Sequence, residues 1–105
     1  KKADVNLTPT NDGQTALMGA AYSDKVDIVE ILLEHGADIN AQLTGYGNTA
    51  LHMAAFYDRR AIARTLIEAG ADVTLKNSDK ASAMKVAKQR KHPEMIRLLQ
   101  AYKVK

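Results

Sequence analysis

Val26-Asp27-Ile28-Val29-Glu30-Ile31-Leu32-Leu33-Glu34-His35-Gly36-Ala37-Asp38-Ile39-Asn40 returns 34 positions later as Arg60-Ala61-Ile62-Ala63-Arg64-Thr65-Leu66-Ile67-Glu68-Ala69-Gly70-Ala71-Asp72-Val73-Thr74. The chain is therefore a repeat array. In the first copy Ile28, Val29, Leu32 and Leu33 fall on one stripe of a helix, while Asp27, Glu30 and Glu34 fall outside it. Gly36 and Gly70 stop the two helices, because a residue without Cβ takes a left-handed C-cap cheaply. Helices this short are marginal alone in water, so each must bury its stripe against a neighbour. Its own copy is the obvious one.

Upstream, Ala3-Asp4-Val5-Asn6 matches Ala37-Asp38-Ile39-Asn40 and reads as the tail of an earlier repeat. The turn residues Pro9, Asn11, Asp12 and Gly13 follow, then Thr15 as the N-cap of a short helix running to about Tyr22. Gly19, Ala20 and Ala21 make that helix thin, which suits close approach of the next layer. Asp24 is assigned as the N-cap of the second helix. The second copy follows the same plan: a turn to Gly47, a Thr49 cap, Ala50 to Ala55, a break near Asp58, and the stripe Ile62, Ala63, Leu66, Ile67. In a third copy Ser82 aligns with Thr49 and Met84 with Leu51, Pro93 opens the last helix, and Met95, Ile96 and Leu99 continue the stripe. Lys88 and Gln100 replace apolar residues there, giving the polar outer face that a terminal repeat needs. The expected divisions are a tail at 1–9, repeats at 10–43 and 44–76, and a C-terminal capping repeat at 77–105.

The 105 residues are 46% apolar and 26% charged, an ordinary globular composition of one-domain size. No apolar run is long enough to span a membrane, and no apolar segment follows Lys1-Lys2 as a secretory signal requires. The lack of cysteine excludes disulfides, thiolate catalysis and zinc–thiolate sites and leaves the redox compartment open. A cytoplasmic location is the expectation. With no initiator Met and a start inside a repeat, the sequence is expected to be a piece of a longer chain. The net charge of +3 hides an asymmetry: residues 3–75 carry 4 basic and 10 acidic side chains, residues 76–105 carry 9 basic and 2 acidic.

Asp12-Gly13-Gln14-Thr15-Ala16-Leu17, Gly47-Asn48-Thr49-Ala50-Leu51-His52-Met53-Ala54-Ala55, Gly36-Ala37-Asp38-Ile39-Asn40 and Gly70-Ala71-Asp72-Val73 together resemble the ankyrin repeat family over essentially the whole chain. The resemblance implies an all-α solenoid of stacked antiparallel helix pairs with projecting β-turn or hairpin fingers. It also implies a Thr-to-His hydrogen bond between Thr49 and His52 that braces the turn. Departures are Ala16, Ala50 and Ala83 where the family usually has Pro, and Asp24, Asp58 and Lys91 where it usually has Gly. The turn segments before Gly13 and Gly47 look one residue longer than the common unit.

Catalytic, cofactor and metal sites are all expected to be absent. Gly45-Tyr46-Gly47-Asn48-Thr49-Ala50 spells a dinucleotide fingerprint, but the strand–helix–strand context is missing and Gly47 is explained by its equivalence to Gly13. His35, His52 and His92 are spread over three repeats without ligand spacing. No Ser or Thr can be assembled with a His and a carboxylate into a triad.

The aromatic residues carry the functional signal. Tyr22, Tyr46, Phe56 and Tyr57 lie at a turn tip or at the end of a first helix, where the family resemblance implies variable positions on a concave recognition face. Rigid amphipathic rings anchor protein interfaces, although rings at positions 22 and 56 can equally pack between neighbouring repeats. Asn11, Asp12, Gln14, Asn48, Arg59, Ser78, Asp79, Gln89 and Arg90 surround them as polar candidates. The expected function is non-enzymatic recognition of a partner protein or peptide across this face. Two alternatives stand beside it. One is binding of nucleic acid or an acidic partner by Lys80, Lys85, Lys88, Arg90 and Lys91, although no aromatic is interleaved among them for base stacking. The other is self-association through an uncovered N-terminal layer of Leu17, Ile28 and Leu32.

Overall fold

The computed structural model describes residues 16–42 and 45–103, with the backbone alone at Lys103. The segments 3–6 and 7–13, the Thr15 cap, and the candidates Asn11, Asp12 and Gln14 lie outside the described residues. Six helices follow in order: α1 (Ala16–Tyr22), α2 (Val26–Glu34), α3 (Ala50–Tyr57), α4 (Arg60–Glu68), α5 (Ala83–Arg90) and α6 (Pro93–Lys103). They form three pairs, α1–α2, α3–α4 and α5–α6, laid side by side so that α1, α3 and α5 make one layer and α2, α4 and α6 the other. No strand is present among the described residues, so the fingers between pairs are turns.

Each of the first five helices ends in the same way. Lys25 N–H donates to Ala20, Ala37 to Leu32, Arg59 to Ala54, Ala71 to Leu66 and His92 to Ala87. This closure needs one left-handed residue, supplied by Asp24, Gly36, Asp58, Gly70 and Lys91. Asp24, with φ 61°, is therefore the stop of α1 and not the N-cap of α2. Lys25 holds the N-cap position, without a side-chain bond. In sequence the two roles look alike, because Asp favours both an N-cap and the left-handed region. Thr49 and Ser82 are N-caps as expected, accepting from His52 N–H and Lys85 N–H.

The core runs through all three pairs. Val29, Ile62, Leu66 and Met95 are inaccessible, with Met18, Leu51 and many alanines packed around them. The alanines bring neighbouring helices close. Gly19, in contrast, is not needed for close approach, since a Cβ there meets nothing within 4 Å. The stripe on α2 is narrower than the spacing suggested: Val29 is buried and Leu32 and Leu33 are partly buried, but Ile28 is 42% and Ile31 49% exposed. Ile28 aligns with the buried Ile62, which α2 covers, and α2 lacks an equivalent neighbour on its own outer side among the described helices. Leu17, expected in the same uncovered layer, is 2% exposed. Lys88 and Gln100 face solvent.

Candidate functional site

A repeat of nearly constant length brings equivalent residues into rows. Tyr22 closes α1, Phe56 and Tyr57 close α3, and Gln89 and Arg90 close α5, all on the same layer. The rings meet edge to face, Tyr22 with Tyr57 and Phe56 with Tyr57, each pair with centroids 4.8 Å apart. This geometry sets the positive edge of one ring against the negative face of the next. Arginines lie at both ends of the row. The Arg90 guanidinium sits 4.2 Å over Phe56, and that of Arg59 lies 6.0 Å from the centre of Tyr57.

The helix ends beneath the rings are cross-linked between pairs. Arg59 Nε donates to the carbonyl of Tyr22 at 3.1 Å, and His92 Nε2 to that of Phe56 at 3.0 Å. Both carbonyls lie at helix C-termini, where unsatisfied acceptors and partial negative charge collect. Each pair thus covers the end of the one before it. The rings remain accessible all the same, with Tyr22 48%, Phe56 39% and Tyr57 38% exposed.

Fingers are joined by a second set of bonds. Ser78 N–H donates to the Tyr46 carbonyl at 2.8 Å and the Ser78 hydroxyl to that of Gly45 at 2.9 Å. Asn77 Nδ2 donates to Asn48 Oδ1, and Asn77 Oδ1 accepts from the backbone N–H groups of Asp79 and Ala81. Below the fingers the buried His52 ring accepts at Nδ1 from Thr49 N–H and donates from Nε2 to the Ala81 carbonyl at 2.8 Å. The Thr49–His52 bond implied by the family resemblance is present, with a capping box around it. His52 is held below the usual imidazole value by burial, against a smaller upward pull from the Ala81 carbonyl.

Between the α3 and α5 rows lies a cleft of about 270 Å³. Six candidates from the sequence line it: Asn48, Phe56, Tyr57, Asp79, Gln89 and Arg90. Tyr22 and Arg59 border it through their contacts with Tyr57. Tyr46 stands apart, 64% exposed at a finger tip, and Ser78 is occupied in tying fingers together. Sequence reasoning missed His52, Met53, Asn77 and Val86 as lining residues. For Met53 and Val86 a signal existed: each lies one helical turn before the row, on the same helix face as Tyr57 and Arg90 respectively.

A family model described as ankyrin repeats, in three copies, matches residues 1–77. The chain belongs to the ankyrin repeat family. The ankyrin match ends at Asn77, and the α5–α6 pair beyond it keeps the same plan of Ser82 cap, left-handed Lys91 and Met95–Leu99 stripe. Ankyrin repeats are in general protein–protein interaction modules. A search of curated proteins finds no match. Among the described residues, no helix of this ankyrin chain is long and apolar enough to cross a membrane, and no group of three or more His, Asp or Glu could hold a metal ion.

Proposed function

We propose that this ankyrin chain is a non-enzymatic recognition module that binds a partner protein or peptide across the face formed by its fingers and the ends of α1, α3 and α5. One observation carries the reading: residues chosen in sequence as polar and aromatic surface positions from two repeats line a single cleft, with the rings braced against one another and still exposed. Prebraced side chains lose little conformational freedom on association, so more of the contact energy reaches affinity. Truncating an aromatic anchor of this kind costs about 2 kcal/mol or more of binding.

A photo-reactive amino acid placed at Tyr57 or Gln89, and separately at the exposed Arg64 of the opposite layer, tests this in lysate. The same protein should cross-link from positions 57 and 89 and not from 64. Cross-links from 64 alone would move recognition to the α2–α4–α6 layer. Capture of nucleic acid instead of protein would favour the basic last pair.

A further inference from the structure

We propose that the cleft between α3 and α5 takes an extended peptide segment and binds a carboxylate side chain of that segment at Arg90. The proposal rests on the partner-binding reading above and specifies the chemistry of the partner.

Arg90 is the reason. Its guanidinium carbon lies 4.2 Å from the centre of the Phe56 ring, a cation–π contact that holds the group at the cleft, and none of its five donors has an acceptor among the described residues. A planar guanidinium fork with its donors free matches a carboxylate bidentately. Arg59 repeats the arrangement across the row: Nε is anchored on the Tyr22 carbonyl, and its two terminal amino groups have no acceptor among the described residues. The helix C-termini that line this face would ordinarily repel an anion. Here Arg59 and His92 each occupy one carbonyl at the ends of α1 and α3, those of Tyr22 and Phe56. Asp79 is the one carboxylate lining the cleft. Lys80, Lys85, Lys88 and Lys91 are exposed on α5 or in the segments that flank it and steer an acidic partner toward the cleft.

The rest of the cleft fits a peptide. Met53 and Val86 supply an apolar patch for a neighbouring side chain. The Gln89 amide has no partner among the described residues and is free to bond a peptide backbone. A volume of about 270 Å³ suits one or two side chains, whereas small-molecule pockets run from about 300 to 1,000 Å³. Base stacking is poorly served, since Phe56, the ring at the α5 side of the row, already carries Arg90 and packs against Tyr57.

The test is selection of a displayed random dodecapeptide library on the full chain. Fluorescence anisotropy of the selected peptides, synthesised with a label, follows on wild type, Arg90→Gln, Arg90→Lys and Tyr57→Ala. Enrichment of Asp and Glu is expected. Arg90→Gln should weaken binding about tenfold or more, and Arg90→Lys should recover only part. Replacing the critical peptide carboxylate by its amide should cost the same, and no more when combined with Arg90→Gln. Thermal melts of the Arg90 variants should match wild type, because the residue is exposed. Peptides without acidic enrichment that respond to Tyr57→Ala but not to Arg90→Gln would overturn the carboxylate assignment and leave the recognition face standing. An empty selection, or peptides indifferent to both changes, would overturn both. Displacement of the peptide by a single-stranded oligonucleotide of equal charge would overturn the choice of a peptide.

Discussion

The His52 ring donates a hydrogen bond to the backbone carbonyl of Ala81, 29 residues further along the chain. This bond ties the base of one helix pair to the finger of the next, and it uses the neutral ring, since Nδ1 is already accepting from Thr49 N–H. Burial keeps the folded-state value below the 6.5 of a free imidazole. The unfolded chain therefore takes up a proton at a higher pH than the folded one. Stability from this group is complete above about pH 6.5 and declines as pH falls below it, until the folded ring is itself protonated. Urea midpoints measured between pH 7.5 and 5.5 should fall for wild type and fall less for His52→Gln, which has no titrating ring. Parallel pH profiles would show that the ring is not desolvated as described.

Leu66 is wholly inaccessible, while its equivalent one repeat earlier, Leu32, is only partly buried. Leu66→Ala should cost about 3 kcal/mol or more through lost transfer and a cavity, and Leu32→Ala roughly half of that. Chemical denaturation of both variants checks the ratio. Equal costs would mean that α2 is covered on both sides.

Two glycines of one finger differ in what surrounds them. Gly45 and Gly47 both have positive φ, but a Cβ at Gly45 meets nothing, whereas at Gly47 it lies 3.0 Å from Ser78 N and 3.2 Å from Asn77 Cα. Gly45→Ala should cost about 1 kcal/mol from backbone strain alone. Gly47→Ala should cost clearly more, because the neighbouring finger must move. Differential scanning calorimetry of the pair separates the two terms.

Lys91 is left-handed, with φ 59°, and exposed. Releasing that strain with Lys91→Gly gains about 1–2 kcal/mol in the folded state, offset by about 0.5–1 kcal/mol from the freer unfolded glycine. A small rise in thermal midpoint is expected. A fall would indicate that the lysine side chain contributes more than the backbone conformation loses.

The stacked-pair fold was legible because period, caps and stops agree with one another. Thr49, Ser82, Gly36 and Gly70 have one structural meaning each at their positions in the repeat. Asp24 was misread because the stop of α1 and the N-cap of α2 fall on adjacent residues, Asp24 and Lys25, and both roles favour the same kind of residue. Spacing put Ile28 on the apolar stripe but defines only a helix face and not what covers it; its 42% exposure agrees with the reading of an uncovered layer, while Leu17, read into the same layer, is buried. At the candidate site the rows of Tyr22, Phe56 and Tyr57 followed from equivalence between repeats. The tying of Asn48 and Ser78 to neighbouring fingers did not, since a hydrogen bond across 29 or 33 residues leaves no local pattern.

Among the described helices each pair packs chiefly on the next one, and the junctions are held by different side chains: Arg59 to Tyr22 and Asn40 to Asp72 at the first, His52 to Ala81 and His92 to Phe56 at the second. Mechanically the molecule is a set of plates in series. Tension along the stack loads both joints equally, and the weaker one opens first. A ligand in the α3–α5 cleft clamps only the second joint, so under load it would shift rupture to the first and leave the loaded cleft intact.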